Sequence, residues 1–146
     1  MATRRKYIPG DFILTPKRSS AGIGLFAGQD IPKDACVIEY VGREVPEAEQ
    51  YTNNSRYLFG IGSKRMVDGK PKINKAGYIN HSCAPNSEPI IHKGRIFIFS
   101  KKAIKAGDEL TYDYGAEYFN DIIIGDGGCK CAKCAVTGKG QKKRRA

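Results

Sequence analysis

The chain has 146 residues, 40% of them apolar, and a formal net charge of +10. That length supports one domain with a real core and excludes two large ones. No apolar run approaches the length of a membrane-spanning helix, and the first ten residues hold no signal-like apolar stretch, so the reading is a soluble intracellular chain, cytoplasmic or nuclear, with no membrane partner. The charge is unevenly placed: Arg4, Arg5, Lys6, Lys139, Lys142, Lys143, Arg144 and Arg145, in terminal segments without acids, account for eight units of the net +10. The segment from Gly138 to the C-terminus has little to bury and is expected to be disordered. It could dock on nucleic-acid phosphates or an acidic partner, serve as a nuclear address, or simply aid solubility.

In chain order the body reads as short strands with few helices. Brief apolar stretches at 12–14, 24–27, 36–41, 56–61 and 95–99 are separated by glycine, proline and asparagine, the pattern of several small sheets. Pro46 followed by Glu47 and Glu49 starts the best helix, a short one over 46–51, and 75–78 suits one further turn. His92 falls in a predicted hairpin turn between strands. Cys36, inside an apolar strand, is expected in the core. The Gly22-Ile23-Gly24 segment lacks the third glycine and the long helix of a dinucleotide fingerprint, so its glycines are read as letting backbone approach a ligand. Tyr112 and Tyr114 alternate and so face one way, either lining a channel or as an ordinary packed pair.

Three cysteines, Cys129, Cys131 and Cys134, lie within six residues, and Cys83 stands far upstream. Thiols that close do not readily pair among themselves, whereas a tetrahedral zinc is satisfied by a knuckle plus one distant ligand. Such a metal would tie the C-terminal segment to the middle of the fold; free thiols are the alternative. The odd count of five cysteines fits metal binding better than a secreted disulfide framework.

Seven motifs occur in one order: Gly22-Ile23-Gly24-Leu25-Phe26, Ile38-Glu39-Tyr40-Val41-Gly42, Tyr57-Leu58-Phe59, Val67-Asp68-Gly69, Ile79-Asn80-His81-Ser82-Cys83-Ala84-Pro85-Asn86, the run from Gly107 to Gly115 that contains Leu110-Thr111-Tyr112-Asp113-Tyr114, and Cys129-x-Cys131-x2-Cys134. Residues 12–134 thereby resemble SET-domain protein lysine methyltransferases with a C-terminal post-SET zinc motif. The resemblance implies a mostly β fold of several small sheets, few short helices, and a knot-like crossing in which the C-terminal segment passes beneath the loop at Asn80 to Cys83. It divides the chain into a SET domain at 8–115, a post-SET segment at 116–134 and a basic disordered tail at 135–146. It also implies S-adenosylmethionine held by Ile23, Gly24, Leu25, Tyr57, Asn80 and His81, with Phe119 closing over the site. Tyr40, Tyr112 and Tyr114 would wall the lysine channel, and zinc would take Cys83, Cys129, Cys131 and Cys134. His81 is read as hydrogen-bonding structurally in its turn.

The implied reaction makes chemical sense. A free lysine has a pKa near 10.4, so presenting its neutral amine at pH 7 costs about 4 to 5 kcal/mol. A neighbouring sulfonium and partial desolvation depress that pKa, so no strong base is required. The expected activity is transfer of a methyl group to a lysine of a protein, with histones and other basic nucleic-acid-associated proteins as candidate substrates. Tyr112 implies mainly mono-methylation with some di-methylation. The alternative is an inactive zinc-knuckle module that binds nucleic acid or chromatin, which has no need of Asn80, His81 and both tyrosines together.

Overall fold

The computed structural model describes residues 6–20, 22–50, 52–53, 57–70, 73–115, 123, 128–137 and 140. Among the described residues, ten strands make three small sheets. In the first, β1 (Leu14–Ser19) and β2 (Gly22–Ala27) form a hairpin, β10 (Glu109–Tyr112) adds antiparallel to β2, and β7 (Asn80–His81) pairs parallel with β10. The second has the order β3 (Cys36–Tyr40), β9 (Arg95–Ser100), β8 (Ser87–His92), and the third β4 (Arg43–Val45), β6 (Arg65–Asp68), β5 (Leu58–Gly62). The helical elements among the described residues include α1 (Glu47–Gln50), a 3-10 turn at Lys75–Tyr78 and α2 (Ala132–Thr137).

Local sequence accounts for most of this. In β9 every residue from Ile96 to Ser100 is buried, because it is the central strand of its sheet and is covered on both faces. With the two-residue period of a strand, Ile96 and Ile98 face the main core with Leu25, Val37, Ile79, Ile104 and Leu110, while Phe97 and Phe99 face a second cluster with Cys36, Tyr7 and Ile90. Burying a phenylalanine of this kind contributes about 1.5–3 kcal/mol. Lys93 (φ 51°) and Gly94 (φ 74°) make the two-residue turn that joins β8 to β9, a left-handed pair whose twist suits the hairpin.

The structure departs from expectation at three places. The strand foreseen at 12–14 starts only at Leu14 and runs through Pro16, Lys17 and Arg18, because β1 is an edge strand that tolerates a proline and mostly exposed polar side chains. His92 is no turn residue: it ends β8, paired with Arg95, and stacks on Tyr7 with ring centroids 3.7 Å apart. That stack, with Tyr7 against Phe97 and Phe99, anchors the N-terminal segment on the outer face of the second sheet. Finally, order reaches into the start of the segment expected to be a disordered tail at 135–146. Helix α2 continues to Thr137, and Gly140 is buried with its carbonyl accepting the Cys129 N–H at 2.8 Å.

Candidate active site and metal centre

Sheet one brings distant motifs together. Leu25 pairs with Leu110 and Phe26 with Glu109, while Thr111 pairs with Asn80 and Tyr112 with His81, so the Gly22-Ile23-Gly24 strand, Asn80-His81 and the tyrosine motif occupy one four-stranded sheet. Asn80 is the polar hub: its amide Nδ2 lies 3.0 Å from Ser19 Oγ, 3.2 Å from the Ile23 carbonyl and 2.9 Å from Glu109 Oε2. Leu25 is fully buried, while Gly22 and Ile23 are exposed. At Gly24 the space a Cβ would need is filled by the Glu109 carboxylate and the Asn80 amide. Close packing by these side chains therefore requires this glycine. Exposed backbone at Gly22 and Ile23 next to a donor amide suits the polar parts of a nucleoside and an amino acid, as S-adenosylmethionine carries.

A row of rings runs behind this edge. Tyr40 meets Phe59 at 5.4 Å, Phe59 meets Tyr112 at 6.3 Å, Tyr112 meets Tyr114 at 4.8 Å, and Tyr114 meets His81 edge-on at 5.5 Å. Tyr40 and Tyr112 are buried. The Tyr114 hydroxyl donates to the Ile79 carbonyl, and the Tyr40 hydroxyl donates to the Tyr57 carbonyl at 2.7 Å. Phe59, which the sequence reading leaves without a role, stands between Tyr40 and Tyr112. The Tyr57 ring is 39% exposed and lies beside Gly77, while its carbonyl also accepts the Gly69 N–H. Phe119 lies outside the described residues.

The cysteines converge from three directions. Cys83 follows β7, Cys129 and Cys131 precede α2, and Cys134 sits within α2; their four Sγ atoms lie within 4.8 Å of one another. The separations of Cys83 from Cys129 and Cys134 are 3.9 and 3.6 Å. Zinc–sulfur bonds of about 2.3 Å in a tetrahedron place sulfurs about 3.8 Å apart, so the set fits zinc. Electrostatics point the same way. Burial pushes Cys129 up to about 11 and, together with the neighbouring thiols, pushes Cys83 well above its ordinary value. Burial opposes ionisation of Cys131 as well, but hydrogen bonds from the main chain at Cys83 and Cys134 and from the Cys129 and Cys134 thiols outweigh it and bring Cys131 down to about 6. Adjacent sulfurs resist sharing several negative charges, a resistance that a divalent cation removes.

A protein-family model described as SET domain matches residues 22–115. The chain belongs to the SET-domain family. Its relatives include histone-lysine N-methyltransferase trr of Drosophila melanogaster, 42% identical over 105 residues (64% of this chain and 4% of that one). Histone-lysine N-methyltransferase 2D of Homo sapiens is 37% identical over 114 residues (68% and 2%), and the H3 lysine-36 specific enzyme of Mycosarcoma maydis is 36% identical over 132 residues (81% and 13%). The chain thus spans a small part of the length of these relatives. Among solved structures, the chain described as ctPRC2 in an autoinhibited conformation bound to S-adenosylmethionine has a TM-score of 0.64 at 33% identity over 74% of this chain and 15% of that one.

Two residues of this SET domain escape a motif-by-motif reading. Glu109 is one, filling the space beside Gly24 and bonding Asn80. Asn86 is the other: its Nδ2 donates to the Glu109 carbonyl at 2.8 Å and its Oδ1 accepts the Thr111 N–H at 2.9 Å, clamping β10 at the start of the tyrosine motif. Both lie within quoted motifs, yet only the three-dimensional pairing of β10 reveals what they hold. Asp113 accepts the Gly115 N–H at 2.8 Å and so braces the turn after Tyr114.

Proposed function

We propose that this chain is a protein-lysine N-methyltransferase that moves a methyl group from S-adenosylmethionine to a lysine of a histone or histone-like protein. The observation that carries the reading is the parallel pairing of β7 with β10, which sets Asn80 and His81 beside Tyr112 and Tyr114 inside the family-matched segment. The names of the histone-lysine relatives and the S-adenosylmethionine-bound structural neighbour support the substrate and cofactor classes.

When bound, S-adenosylmethionine supplies a sulfonium-activated methyl group and a positive charge that disfavours a second one nearby. The residues that would hold it are the exposed main chain at Gly22 and Ile23, the Tyr57 ring, and Asn80 with His81, while the buried Gly24 and Leu25 would keep that strand in place. Tyr114 gives its proton to the Ile79 carbonyl and so keeps oxygen lone pairs able to accept from the incoming amine. Tyr40, Phe59 and Tyr112 form the apolar wall that orients the lysine and excludes water. Such positioning is worth up to about 7 to 11 kcal/mol. His81 does not serve as a general base, because both its ring nitrogens are engaged, Nδ1 with the Tyr114 N–H at 3.0 Å and Nε2 with Cys83 Sγ at 3.3 Å.

The catalytic unit extends upstream of the family-matched segment to about residue 8, which Leu14 in the core and the Tyr7–His92 stack support. The zinc segment ends near Cys134. The hydroxyl of Tyr112 occupies volume that further methyl groups need, so the product is mainly mono-methyl lysine with some di-methyl. Incubation with methyl-labelled S-adenosylmethionine and a panel of basic proteins, with the label located by mass spectrometry, tests the reading; label on no lysine of any panel member, histones included, refutes it.

A further inference from the structure

We infer that the His81 ring is a positioning group joining the cysteine centre to the tyrosine motif, locked as the tautomer whose Nε2–H donates to the Cys83 sulfur while Nδ1 accepts the Tyr114 main-chain N–H. The inference rests on the zinc and methyl-transfer readings above and assigns them a shared part.

Geometry fixes the proton. A main-chain N–H only donates, so the 3.0 Å contact from Tyr114 N to His81 Nδ1 requires an unprotonated Nδ1. The neutral ring then carries its hydrogen on Nε2, 3.3 Å from Cys83 Sγ, within the range of an N–H···S bond. Asp113 Oδ1 is 3.7 Å from Nδ1, beyond hydrogen-bonding distance, and accepts the Gly115 N–H instead. The side chain of His81 is only 4% exposed, so water does not compete freely at either nitrogen. Tyr112 also supplies its carbonyl to the Ser82 N–H at 3.1 Å, which holds the main chain on either side of the ring in register.

The consequences differ at the two ends. An N–H donated to a thiolate disperses its charge and orients its lone pairs, and removing such a partner of a metal ligand costs about 10- to 100-fold in metal affinity. At the other nitrogen, the bond to Tyr114 N holds the main chain from which the Tyr114 ring projects toward the Ile79 carbonyl, so its loss loosens the tyrosine.

The two halves separate experimentally. In H81N the amide oxygen replaces Nδ1 and keeps the Tyr114 bond but does not reach Cys83; in H81Q the amide nitrogen replaces Nε2 and keeps the sulfur bond but offers Tyr114 no acceptor. Zinc affinity, measured by competition with a metallochromic chelator, falls about 10- to 100-fold in H81N and is retained in H81Q. Turnover at saturating zinc falls further in H81Q than in H81N. Parallel loss of both quantities in both variants means a merely structural ring and overturns the inference. Long-range proton–nitrogen NMR on the unaltered, zinc-loaded full chain decides it even if both variants misfold: a protonated Nε2 is expected, and a protonated Nδ1 overturns it. Metal analysis of the same sample tests the zinc reading separately. A zinc-loaded chain with the wrong tautomer sinks the inference alone, whereas a chain that takes up no zinc sinks both.

Discussion

Replacing Tyr114 with phenylalanine removes one oxygen with two effects that the structure separates. The hydroxyl donates to the carbonyl of Ile79, a residue only 1% exposed, so the variant leaves that acceptor without its partner. An unmet buried acceptor costs about 1–3 kcal/mol, and in a chain of this size each kcal/mol lowers Tm by roughly 2–8 °C. The ring itself stays, still 4.8 Å from Tyr112, so the fold survives at 25 °C. The chemical loss is larger, because an amine that is no longer oriented sacrifices the benefit of positioning, and a misplacement of about 1 Å costs about 100-fold in rate. Cofactor affinity should stay near that of the unaltered chain, since the role proposed for the hydroxyl is toward the amine and not toward the adenosine. Thermal unfolding, calorimetric titration with S-adenosylhomocysteine and turnover on a histone peptide separate the effects. Turnover within about threefold of the unaltered chain, or a loss no greater than the unfolded fraction explains, refutes the role given to Tyr114.

Three further outcomes are expected. Protein prepared without chelator should hold one zinc per chain, and Cys131→Ser should loosen the C-terminal segment and weaken cofactor binding together; full activity in a metal-free preparation rules this out. Tyr112→Phe should remain active and shift the product toward di- and tri-methyl lysine, read by mass spectrometry at long incubation, whereas tri-methylation dominating in the unaltered chain would assign the limit elsewhere. Burial, helped by Glu39, pushes the Cys36 thiol up to about 11, so its protonated form stabilises the fold below about pH 9 and that contribution is lost as pH rises toward 11; Cys36→Ala should flatten this part of the stability curve in urea titrations, and an unchanged slope contradicts it.

Much of the molecule is legible where a motif is both short-range and chemically specific. The cysteine spacing points to a metal knuckle because thiolate number and geometry are nearly sufficient by themselves, and the four sulfurs do converge. Strands β3 and β9 show as apolar runs because they bury most of their side chains, and β5 shows through Leu58, Phe59 and Ile61, of which Ile61 is buried. Strands β4 and β6 do not, since Arg43, Glu44 and Arg65 carry exposed charges and the pairing depends on partners far away in sequence. His92 misleads because a histidine beside Lys93 and Gly94 looks like a turn, and its stacking partner Tyr7 is 85 residues distant in the chain. Glu109 is hidden for a similar reason: an acid following Gly107 and Asp108 reads as a solvated turn, and only the approach of Gly24 and Asn80 shows otherwise. Composition from residue 135 onward suggests disorder, and it does not register that helix α2 runs to Thr137 or that Gly140 packs on Cys129.

The most direct test of the central claim is mass analysis of histone octamers incubated with the purified chain, S-adenosylmethionine and zinc, beside a reaction lacking the chain. The account predicts a histone lysine that gains one methyl group, and sometimes two, only when the chain is present, with the gain abolished in Tyr114→Phe. Unmodified lysines throughout, under conditions in which the chain demonstrably binds both zinc and S-adenosylmethionine, would contradict it.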